Sequence, residues 1–348
     1  MSRTNRCWVI RERPIGRPLA ETDFSFESRP LAEPADGEVQ LRTLYLGFDP
    51  AQKSWIENIA NYMAPTEIGG VMPGTGLGRV VASRSPAFAV GDLATGLLGW
   101  QEYANVAADK LEKVDPETPP TTALHTLSTT GRTAYFGLLH VGRPRAGDVL
   151  VITGAAGAVG SIVGQLGRIS GCKVIGIAGG ERKCAWLVDE CGFDAAIDYR
   201  KEKVRARLRE LCPDGIDIVF DNVGGELLND CLGRLRFDAR VVICGGISRY
   251  NADPRDPSQM PPGPRNYFNV VFTRATIQGF LVHHFAEHYA TADARLRGWL
   301  KSGALIQRED VQLGLENAPR TLMRLFEGAN FGKQLLKLAN AEGLDFKG

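Results

Sequence analysis

Short runs of apolar and β-branched side chains, separated by glycine and proline, fill the N-terminal third of the chain. Two of these runs are Glu38-Val-Gln-Leu-Arg-Thr-Leu44 and Gly78-Arg-Val-Val-Ala82. Short strands separated by turn residues are typical of a small β-rich unit. The segment Asp115-Pro-Glu-Thr-Pro-Pro120 then interrupts the pattern. The pattern therefore predicts a β-rich unit that ends near a proline-rich junction.

A different pattern follows, in which continuous apolar runs alternate with helical stretches such as Ser161–Ser170 and Arg182–Cys191. Continuous apolar runs are typical of strands buried on both faces of a parallel sheet. The spacing leaves room for crossover helices, so we predict an α/β fold with a Rossmann doubly wound parallel sheet. The predicted strands are Val149–Thr153, Lys173–Ile177, Ile216–Phe220, Ala239–Cys244 and Ala275–Leu281.

Composition indicates the number of domains and the class of partner. A chain of 348 residues that is 44% hydrophobic can bury a large core. At roughly 100–200 residues per domain, two domains are expected. Lysine and arginine number 41 against 40 aspartates and glutamates, which argues against a nucleic-acid or membrane partner. We expect small-molecule partners.

The sequence also bears on the cellular compartment. No stretch approaches the ~20 apolar residues that span a bilayer, and the N-terminus lacks the apolar core of a signal peptide. The seven cysteines are odd in number, scattered and without a C-x-x-C pair. Such a set fits reduced thiols rather than a disulfide framework. These observations predict a soluble, cytoplasmic protein.

The segment Ala155-Ala156-Gly157-Ala158-Val159-Gly160 matches the dinucleotide fingerprint G-x-G-x-x-G, with alanine at its first position. Gly157 would let the backbone approach a pyrophosphate, Gly160 would allow close helix packing, and the amides from Ala158 onwards would face the negative charge. The alternative is a tight strand-to-helix turn that binds nothing. Because strand, turn, helix and second strand arrive in order, we predict a nicotinamide dinucleotide site.

The end of the second predicted strand indicates which dinucleotide binds. An NAD site usually has a carboxylate there for the ribose 2′-hydroxyl, whereas an NADP site has small residues and cations for the 2′-phosphate. Ala178 and Gly179 provide space, and Arg182 and Lys183 provide positive charge. Glu181 is the alternative, as an NAD-type ligand. On balance these residues favour NADP(H).

With these residues placed, the chain resembles the zinc-independent medium-chain dehydrogenases/reductases, in the leukotriene/prostaglandin reductase and alkenal double-bond reductase group. The resemblance runs nearly end to end, and several ordered motifs are more specific than any one. Besides the dinucleotide turn, they are Gly47-Phe-Asp-Pro50, Gly99-Trp-Gln-Glu-Tyr103, Gly131-Arg-Thr-Ala-Tyr-Phe-Gly137, Asp221-Asn-Val-Gly-Gly225, Ile247-Ser-Arg-Tyr-Asn251, Gly279-Phe-Leu-Val282 and Asn330-Phe-Gly-Lys333.

The resemblance implies three segments. Residues 1–124 would form a chaperonin-like (GroES-like) β-rich catalytic domain, and residues 125–300 the Rossmann NADP-binding domain. Residues 301–348 would return into the catalytic domain. Because relatives commonly pair through the sheets of their nucleotide domains, the resemblance also implies a homodimer.

The resemblance further implies roles for individual residues. Gly157, Ala158, Val159 and Gly160 would form the pyrophosphate turn. Lys183 and Tyr199 would contact the 2′-phosphate, and Asn222 would lie near the adenosine. The walls around the nicotinamide would be formed by Cys244, Gly245, Gly246, Ile247, Ser248, Tyr250, Phe280, Leu281, Val282 and Asn330.

No metal site is predicted. Zinc-dependent relatives carry Gly-His-Glu near the stretch that here reads Gly69-Gly-Val-Met-Pro-Gly-Thr-Gly76, which contains neither His nor Cys. No cysteine lies between Cys7 and Cys172, so the four-cysteine structural zinc lobe is missing as well. His283, His284 and His288 could be imagined as a metal cluster, but surface histidines are the commoner explanation.

The resulting hypothesis is that NADPH reduces the carbon–carbon double bond of an α,β-unsaturated aldehyde or ketone. Hydride would reach the β-carbon, and Tyr250 would donate a hydrogen bond to the enolate oxygen, the task that zinc performs elsewhere. The alternative for Tyr250 is a loop tyrosine whose hydroxyl meets water. The alternatives for the protein are quinone reduction and a non-catalytic nucleotide-binding scaffold.

One departure from the family pattern concerns the substrate pocket. Relatives commonly carry Asp-Pro-Tyr-Met-Arg where this chain has Asp49-Pro50-Ala51-Gln52-Lys53. Ala51 replaces a tyrosine that can line the pocket, so prostaglandin or leukotriene specificity does not transfer. Replacement walls could come from Trp55, Tyr62, Met63 and Phe268, although core packing is the commoner role for such residues.

Overall fold

A computed structural model describes residues 4–57, 63, 66–260 and 263–338. The chain divides into two compact units. The first consists of Met1–His125 and Glu309–Gly348, and the second of Thr126–Arg308.

The strands of the described residues are, in chain order, β1 (Thr4–Ile10), β2 (Phe24–Pro30), β3 (Glu38–Gly47), β4 (Thr75–Ser83), β5 (Leu93–Leu97), β6 (Tyr103–Ala107), β7 (Glu112–Val114), β8 (Val149–Thr153), β9 (Lys173–Ala178), β10 (Ala195–Asp198), β11 (Ile216–Asp221), β12 (Leu235–Ile243), β13 (Thr276–Gly279), β14 (Glu309–Leu313) and β15 (Lys333–Lys337). The α-helices are α1 (Ala51–Glu57), α2 (Pro120–Leu124), α3 (Thr129–Phe136), α4 (Ala158–Ile169), α5 (Glu181–Asp189), α6 (Val204–Leu211), α7 (Gly225–Leu232), α8 (Asn269–Thr273), α9 (Tyr289–Lys301) and α10 (Ala318–Phe326). A π-helical turn spans Gly137–Gly142, and 3-10 helices span Glu21–Asp23, Ala108–Lys110, Ile247–Arg249, Val282–His288 and Leu315–Asn317.

The first unit is built on a mainly antiparallel sheet with the order β14-β15-β3-β4-β5-β7. Strand β6 pairs with the first half of β3, and β15 pairs with its second half. Trp100 is completely buried in the core of this unit and lies 5.4 Å from Phe48, centroid to centroid. A Cβ on Gly74 would lie 2.7 Å from the Trp100 ring, so only glycine fits beside this side chain. The predicted β-rich unit is confirmed.

The second unit contains a parallel sheet with the order β10-β9-β8-β11-β12-β13. This is the strand order of a doubly wound dinucleotide fold, and it confirms the predicted fold class. Leu150, Val151 and Ile152 are all completely buried, which explains why β8 has a continuous apolar sequence. Burial of each such side chain stabilises the fold by about 1.5–3 kcal/mol.

Four of the five predicted strands of the parallel sheet differ from their predicted bounds. Strands β9 and β11 each extend one residue further, to Ala178 and Asp221, and β12 begins at Leu235 rather than Ala239. The edge strand β13 spans only Thr276–Gly279, shorter than the predicted Ala275–Leu281, because the chain turns away after Gly279 into a 3-10 helix. Cys244 lies just beyond β12 rather than within it. The short strand Ala195–Asp198 was not predicted, because it has only four residues and two of them are alanine.

Residues 301–308 belong to the second unit, whereas the sequence analysis placed them in the C-terminal return. The Gln165 amide donates to the Ile306 carbonyl at 2.9 Å and accepts from the Ile306 backbone at 2.8 Å. Leu305 is buried beside this pair of hydrogen bonds. These contacts hold the segment against helix α4. In the described part of the chain, no helix is both long and apolar enough to cross a membrane.

Candidate functional site

Most of the predicted site residues lie at one edge of the parallel sheet. Because all six strands run in the same direction, their carboxyl ends meet at this edge, where dinucleotides bind in doubly wound folds. The residues that directly follow the strands in sheet order are Tyr199, Gly179, Gly154, Asn222, Cys244 and Phe280. Four of the six, Tyr199, Asn222, Cys244 and Phe280, are predicted cofactor residues that come from separate parts of the sequence.

The turn between β8 and α4 leaves room for an anion. Gly154 has φ +62°, a conformation that favours glycine, and Gly157 is the extended residue before helix α4. A Cβ on Gly160 would lie 2.5 Å from the Gly154 carbonyl oxygen, so a side chain there would push the turn apart. The backbone amides in the first turn of a 12-residue helix point towards its N-terminus and are suited to a phosphate. The turn therefore fits a dinucleotide pyrophosphate.

A buried carboxylate connects the ends of β8 and β11. Asp221 is 1% exposed and accepts hydrogen bonds from the Thr153 hydroxyl at 2.6 Å and the Gly224 amide at 2.9 Å. The Thr153 hydroxyl accepts from the Asn222 amide, and the Asn222 side chain donates to the Thr153 carbonyl at 2.8 Å. Burial raises the pKa of Asp221 above its ordinary value, although these hydrogen bonds oppose the shift. Asn222 thus connects the loop that follows β11 with the end of β8.

The segment that follows β12 is fastened to the same loops. The backbone amide of Cys244 donates to the Asp221 carbonyl at 2.9 Å, and the Ser248 hydroxyl donates to the Val223 carbonyl at 2.7 Å. A Cβ on Gly245 would lie 3.1 Å from the Asn222 carbonyl oxygen. The two loops can approach so closely because Gly245 has no side chain. Burial, reinforced by the Asp221 carboxylate, raises the pKa of Cys244 to about 12. Its thiol is therefore neutral at physiological pH.

Tyr250 closes the 3-10 helix Ile247–Arg249. Its backbone amide donates to the Ile247 carbonyl at 3.3 Å, and its side chain is half-buried. The hydrogen bonds made by Ser248 and Cys244 fix the turn from which Tyr250 projects. The structure thus brings this predicted catalytic residue to the same edge as the dinucleotide turn.

At the other end of this edge, near β9 and β10, the side chains of Tyr199 and Arg200 lie against Gly179. The positions of the Tyr199 hydroxyl and of Arg200 Nε are such that a Cβ on Gly179 would lie 2.9 Å from each. The Asp198 carboxylate fastens this corner by accepting from the amides of Gly180 and Arg200 at 2.9 and 3.0 Å. Burial alone would raise the pKa of Asp198, but these hydrogen bonds and the positive charges of Lys201 and Arg200 together outweigh it, and the pKa is lowered.

The charges at this corner are compatible with a 2′-phosphate. Lys183 is half-buried in the first turn of α5, and Tyr199 is 44% exposed. Arg200 was missed in the sequence analysis, although its position directly after Tyr199 was a usable signal. Glu181, the alternative NAD-type ligand, points its carboxylate at Lys201 Nζ, 3.0 Å away.

The segment Phe280–Val282 contributes packing. The Phe280 ring lies against Gly137 so closely that a Cβ there would be 2.5 Å from its Cζ. Phe280 also lies 6.4 Å from Phe285, centroid to centroid, in an edge-to-face arrangement. Leu281 is 37% exposed, and Val282 begins the 3-10 helix.

Asn330 belongs to the first unit, where its amide donates to the Gly332 carbonyl at 3.0 Å. Nearby in sequence, the completely buried side chain of Lys333 binds Asp49 with its Nζ 2.6 Å from Oδ1. Asp49 stands two residues before Ala51, which begins helix α1. Lys333 therefore anchors the segment in which this chain departs from the family pattern.

The four suggested pocket-wall residues have different surroundings. Trp55 is buried, whereas Phe268 is 54% exposed and packs edge to face with Phe272. Met63 is half-buried. Tyr62 lies outside the described residues.

The histidines named in the sequence analysis lie on a surface helix. His283, His284 and His288 are exposed on the 3-10 helix Val282–His288. Within residues 4–57, 63, 66–260 and 263–338, no group of three or more His, Cys, Asp or Glu side chains is arranged to hold a metal ion.

Two protein-family models match the chain. Residues 6–114 match the model described as the N-terminal domain of oxidoreductase, and residues 158–296 match the model described as zinc-binding dehydrogenase.

Curated relatives match over nearly the whole chain. An NADPH-dependent curcumin reductase of Escherichia coli (strain K12) is 39% identical, with 96% of this chain and 97% of the relative covered. Prostaglandin reductase 1 of Bos taurus is 36% identical over 95% of this chain and 98% of the relative. The 2-alkenal reductase (NADP(+)-dependent) of Nicotiana tabacum is 35% identical over 87% and 88%. Among solved structures, CurA of Vibrio vulnificus in complex with NADPH is 38% identical, with a TM-score of 0.89 and coverage of 96% and 99%.

Proposed function

Since the chain belongs to the zinc-independent medium-chain dehydrogenases/reductases, in the group of the prostaglandin and 2-alkenal reductases, we propose that it is an NADPH-dependent reductase. Its substrates are α,β-unsaturated aldehydes or ketones, and it reduces their carbon–carbon double bond. The observation that carries this proposal is the 39% identity, over almost the entire chain, to an NADPH-dependent curcumin reductase. Curcumin and 2-alkenals share a double bond conjugated with a carbonyl group.

The chain's own residues fit the cofactor. The β8–α4 turn binds the pyrophosphate through the amides of Ala158, Val159 and Gly160, since the glycines leave the backbone accessible. Lys183, Tyr199 and Arg200 bind the 2′-phosphate at the corner around Gly179, where the missing Cβ lets Tyr199 and Arg200 approach the backbone. A cation at this corner selects NADPH over NADH.

The catalytic step places a negative charge on the carbonyl oxygen of the substrate. Bound NADPH supplies a hydride to the β-carbon. Tyr250 donates a hydrogen bond to the carbonyl oxygen as charge develops there, and the loss of one such donor typically costs about 10²–10³ in rate. A proton from solvent then adds to the α-carbon of the enolate, which completes the reduction. Cys244 to Ser248, with Phe280 to Val282, form the walls that hold the reacting ring. The Thr153–Asp221–Asn222 hydrogen bonds position these loops.

NADPH consumption tests the proposal against its alternatives. The purified protein is assayed with 2-hexenal, 2-cyclohexenone and a benzoquinone, and each assay is repeated with NADH. The proposal expects turnover of the enal or enone with NADPH and a much lower rate with NADH. Turnover of the quinone alone would favour a quinone reductase, and tight NADPH binding without turnover would favour a scaffold. The solved structure of an Escherichia coli quinone oxidoreductase is only 20% identical to this chain, so the likeness concerns the fold and does not favour quinone as the substrate.

A homodimer is part of the proposal. Strand β13 ends the sheet, and no described strand pairs with its outer side. Apolar side chains cluster on or near this edge: Ile277 is 43% exposed, Val271 65% and Phe272 71%. An edge strand with exposed apolar neighbours is suited to pairing with a second copy. Light scattering should give the dimer mass, and Ile277→Lys should shift it to the monomer, whereas the control Val90→Lys should not.

We place the protein in the cytoplasm. All seven cysteines carry free thiols, and Cys7, Cys172, Cys191, Cys212 and Cys231 are buried. Buried free thiols are typical of proteins that work in a reducing compartment. Fractionation of the source cells, with a cytoplasmic marker enzyme as reference, tests this assignment.

A further inference from the structure

A basic cavity lies in the nucleotide unit, away from the dinucleotide turn. Its volume is about 240 Å³, and it is lined by Arg143, Arg145, Asp238, Arg240, Arg274 and Thr276. A water molecule takes about 30 Å³ in the liquid, so the cavity can hold a small organic ion rather than a single water.

The cavity lies at the amino edge of the parallel sheet, opposite the edge described above. Arg240 of β12 is in register with Thr276 of β13, and Arg240 also pairs with Ile218 near the start of β11. Arg143 and Arg145 precede β8, whereas the dinucleotide turn follows it. The two sites are thus separated by the length of the strands.

The end of the π-helical turn Gly137–Gly142 forms one wall of the cavity. Arg143 ends this turn with φ +48°, and its amide donates to the Leu138 carbonyl at 2.8 Å. A Cβ on Gly142 would lie 3.5 Å from Val242 Cγ2, so the turn packs against the face of β12 that carries Val242. Arg240 is two residues away and shares that face. Residues from a helix end and from two strands therefore converge on one space.

The charges around the cavity are not balanced. Arg240 Nη2 binds Asp148 Oδ2 at 2.5 Å, and Arg274 binds Asp238 through two nitrogens. Arg143 and Arg145 are exposed and have no ion-pair contact within 4 Å among the described residues, although the charge of Arg145 also acts on Asp238. Four guanidinium groups thus face two carboxylates, which leaves two positive charges in excess.

One of the donors is also buried without a partner. Arg240 is 13% exposed, and its Nε makes no hydrogen bond within the described part of the chain. Buried polar groups are nearly always hydrogen-bonded, so an unpaired donor calls for an explanation, and a bound ion is one of them. Asp148 holds this guanidinium in place from the other side.

We infer that this cavity binds a phosphate group, either as free inorganic phosphate or diphosphate, or as the phosphate of a small metabolite. A phosphate dianion matches the two excess charges. An arginine guanidinium group can donate two parallel hydrogen bonds to two oxygens of one phosphate. The cavity has several guanidinium groups, which come from different elements. The ligand is not the dinucleotide, whose phosphates are bound at the opposite edge of the sheet.

Isothermal titration calorimetry tests this inference. The full-length protein is titrated with inorganic phosphate, with diphosphate and with glycerol 3-phosphate, at constant ionic strength set with sodium chloride. Each titration is run with and without excess NADP⁺, so that binding at the dinucleotide turn is blocked in one arm. The test variant is Arg143→Gln/Arg145→Gln, whose side chains are exposed and whose replacement leaves the Asp148–Arg240 pair intact.

A matched control removes the same charge elsewhere. Arg205→Gln/Arg209→Gln changes two exposed arginines on helix α6. The inference expects saturable binding of one phosphate ligand per chain in the presence of NADP⁺, with at least ten-fold weaker affinity in the test variant and wild-type affinity in the control. Preference for glycerol 3-phosphate assigns the phosphate of a metabolite, and preference for the inorganic ions assigns free phosphate.

Two results would overturn the inference. One is the absence of saturable phosphate binding once NADP⁺ is present. The other is equal affinity in the test and control variants, which would place the bound phosphate elsewhere. Melting curves in sodium chloride alone verify that both variants are folded, so a lost affinity is attributable to the cavity.

Discussion

The hydroxyl of Thr153 donates a 2.6 Å hydrogen bond to the carboxylate of Asp221, and neither side chain is more than 1% exposed. The two residues end neighbouring strands of the parallel sheet, 68 positions apart in sequence. Because Asn222 and Gly224 bind the same pair, this contact sets the spacing of the loops that carry the dinucleotide site.

Removal of the Thr153 hydroxyl should therefore destabilise the nucleotide unit. In Thr153→Val the buried carboxylate of Asp221 loses a donor, which typically costs about 1–3 kcal/mol, more for a charged group. Urea unfolding should show a lower midpoint together with a raised KM for NADPH. The control Thr291→Val, at an exposed position of α9, should leave both values unchanged. A wild-type midpoint for Thr153→Val would show that the contact contributes nothing.

The raised pKa of Asp221 predicts a pH dependence of stability. The native state holds the proton more tightly than the unfolded chain, so stability is highest below the ordinary aspartate pKa and falls as pH rises through the raised value. Asp221→Asn removes this ionisation. Between pH 4 and pH 7 the free energy of unfolding should fall more in the wild type than in Asp221→Asn. Parallel curves for the two proteins would contradict the assignment.

The corner around Gly179 should determine the choice of cofactor. A charge-assisted hydrogen bond to phosphate contributes about 1.5–3 kcal/mol, which is roughly 10–100-fold in affinity. Lys183→Gln and Arg200→Gln should each raise KM for NADPH by about ten-fold or more and leave the weak reaction with NADH unchanged. Lys201→Gln is the control, because Lys201 pairs with Glu181. An equal loss with both cofactors would indicate damage to the fold rather than loss of a phosphate contact.

Gly160 should not tolerate a side chain. Its Cβ would lie 2.5 Å from the Gly154 carbonyl oxygen and 2.8 Å from Ala155 Cα, both backbone atoms that cannot move freely. Gly160→Ala should raise KM for NADPH by at least about ten-fold, or about 1.4 kcal/mol. At Gly298, where an added Cβ meets nothing within 4 Å, alanine should instead stabilise helix α9 by roughly 0.5–1 kcal/mol. Normal NADPH binding by Gly160→Ala would remove the turn from the proposed site.

Tyr250 should act on the rate and not on cofactor binding. Tyr250→Phe keeps the ring and removes the hydroxyl, so kcat with an enone should fall by about 10²–10³ while KM for NADPH stays near the wild-type value. Tyr267→Phe, at a tyrosine that is 64% exposed, serves as the matched control. Full enone turnover by Tyr250→Phe would leave the enolate oxygen without its proposed donor.

The sequence was sufficient for the parts of the structure that have strong local patterns. The strand Val149–Thr153 was predicted with its exact bounds, because buried parallel strands are continuously apolar and the glycine turn marks their end. The strand Ala195–Asp198 was missed because its sequence is short and weakly apolar. The same lack of local signal explains why Thr153 was not singled out and why Asp221 was named only as the first residue of a motif: their importance lies in a contact between distant segments.

The cavity at the amino edge was equally invisible in the sequence. Arg143, Arg240 and Arg274 are far apart along the chain, and each has the pattern of an ordinary charged residue beside a strand. Only the strand order and the register of β12 with β13 bring them together. Pairwise register, which depends on the whole sheet, cannot be deduced from one segment.

The carbon that receives the hydride distinguishes reduction of the carbon–carbon double bond from reduction of the carbonyl group. The protein is incubated with 2-hexenal and NADPH that carries deuterium at its transferable position, and the product is analysed by NMR spectroscopy and mass spectrometry. The account predicts hexanal with deuterium on its third carbon, the β-carbon of the substrate. Formation of 2-hexenol with deuterium on its first carbon, or no reaction with any enal or enone, would contradict it.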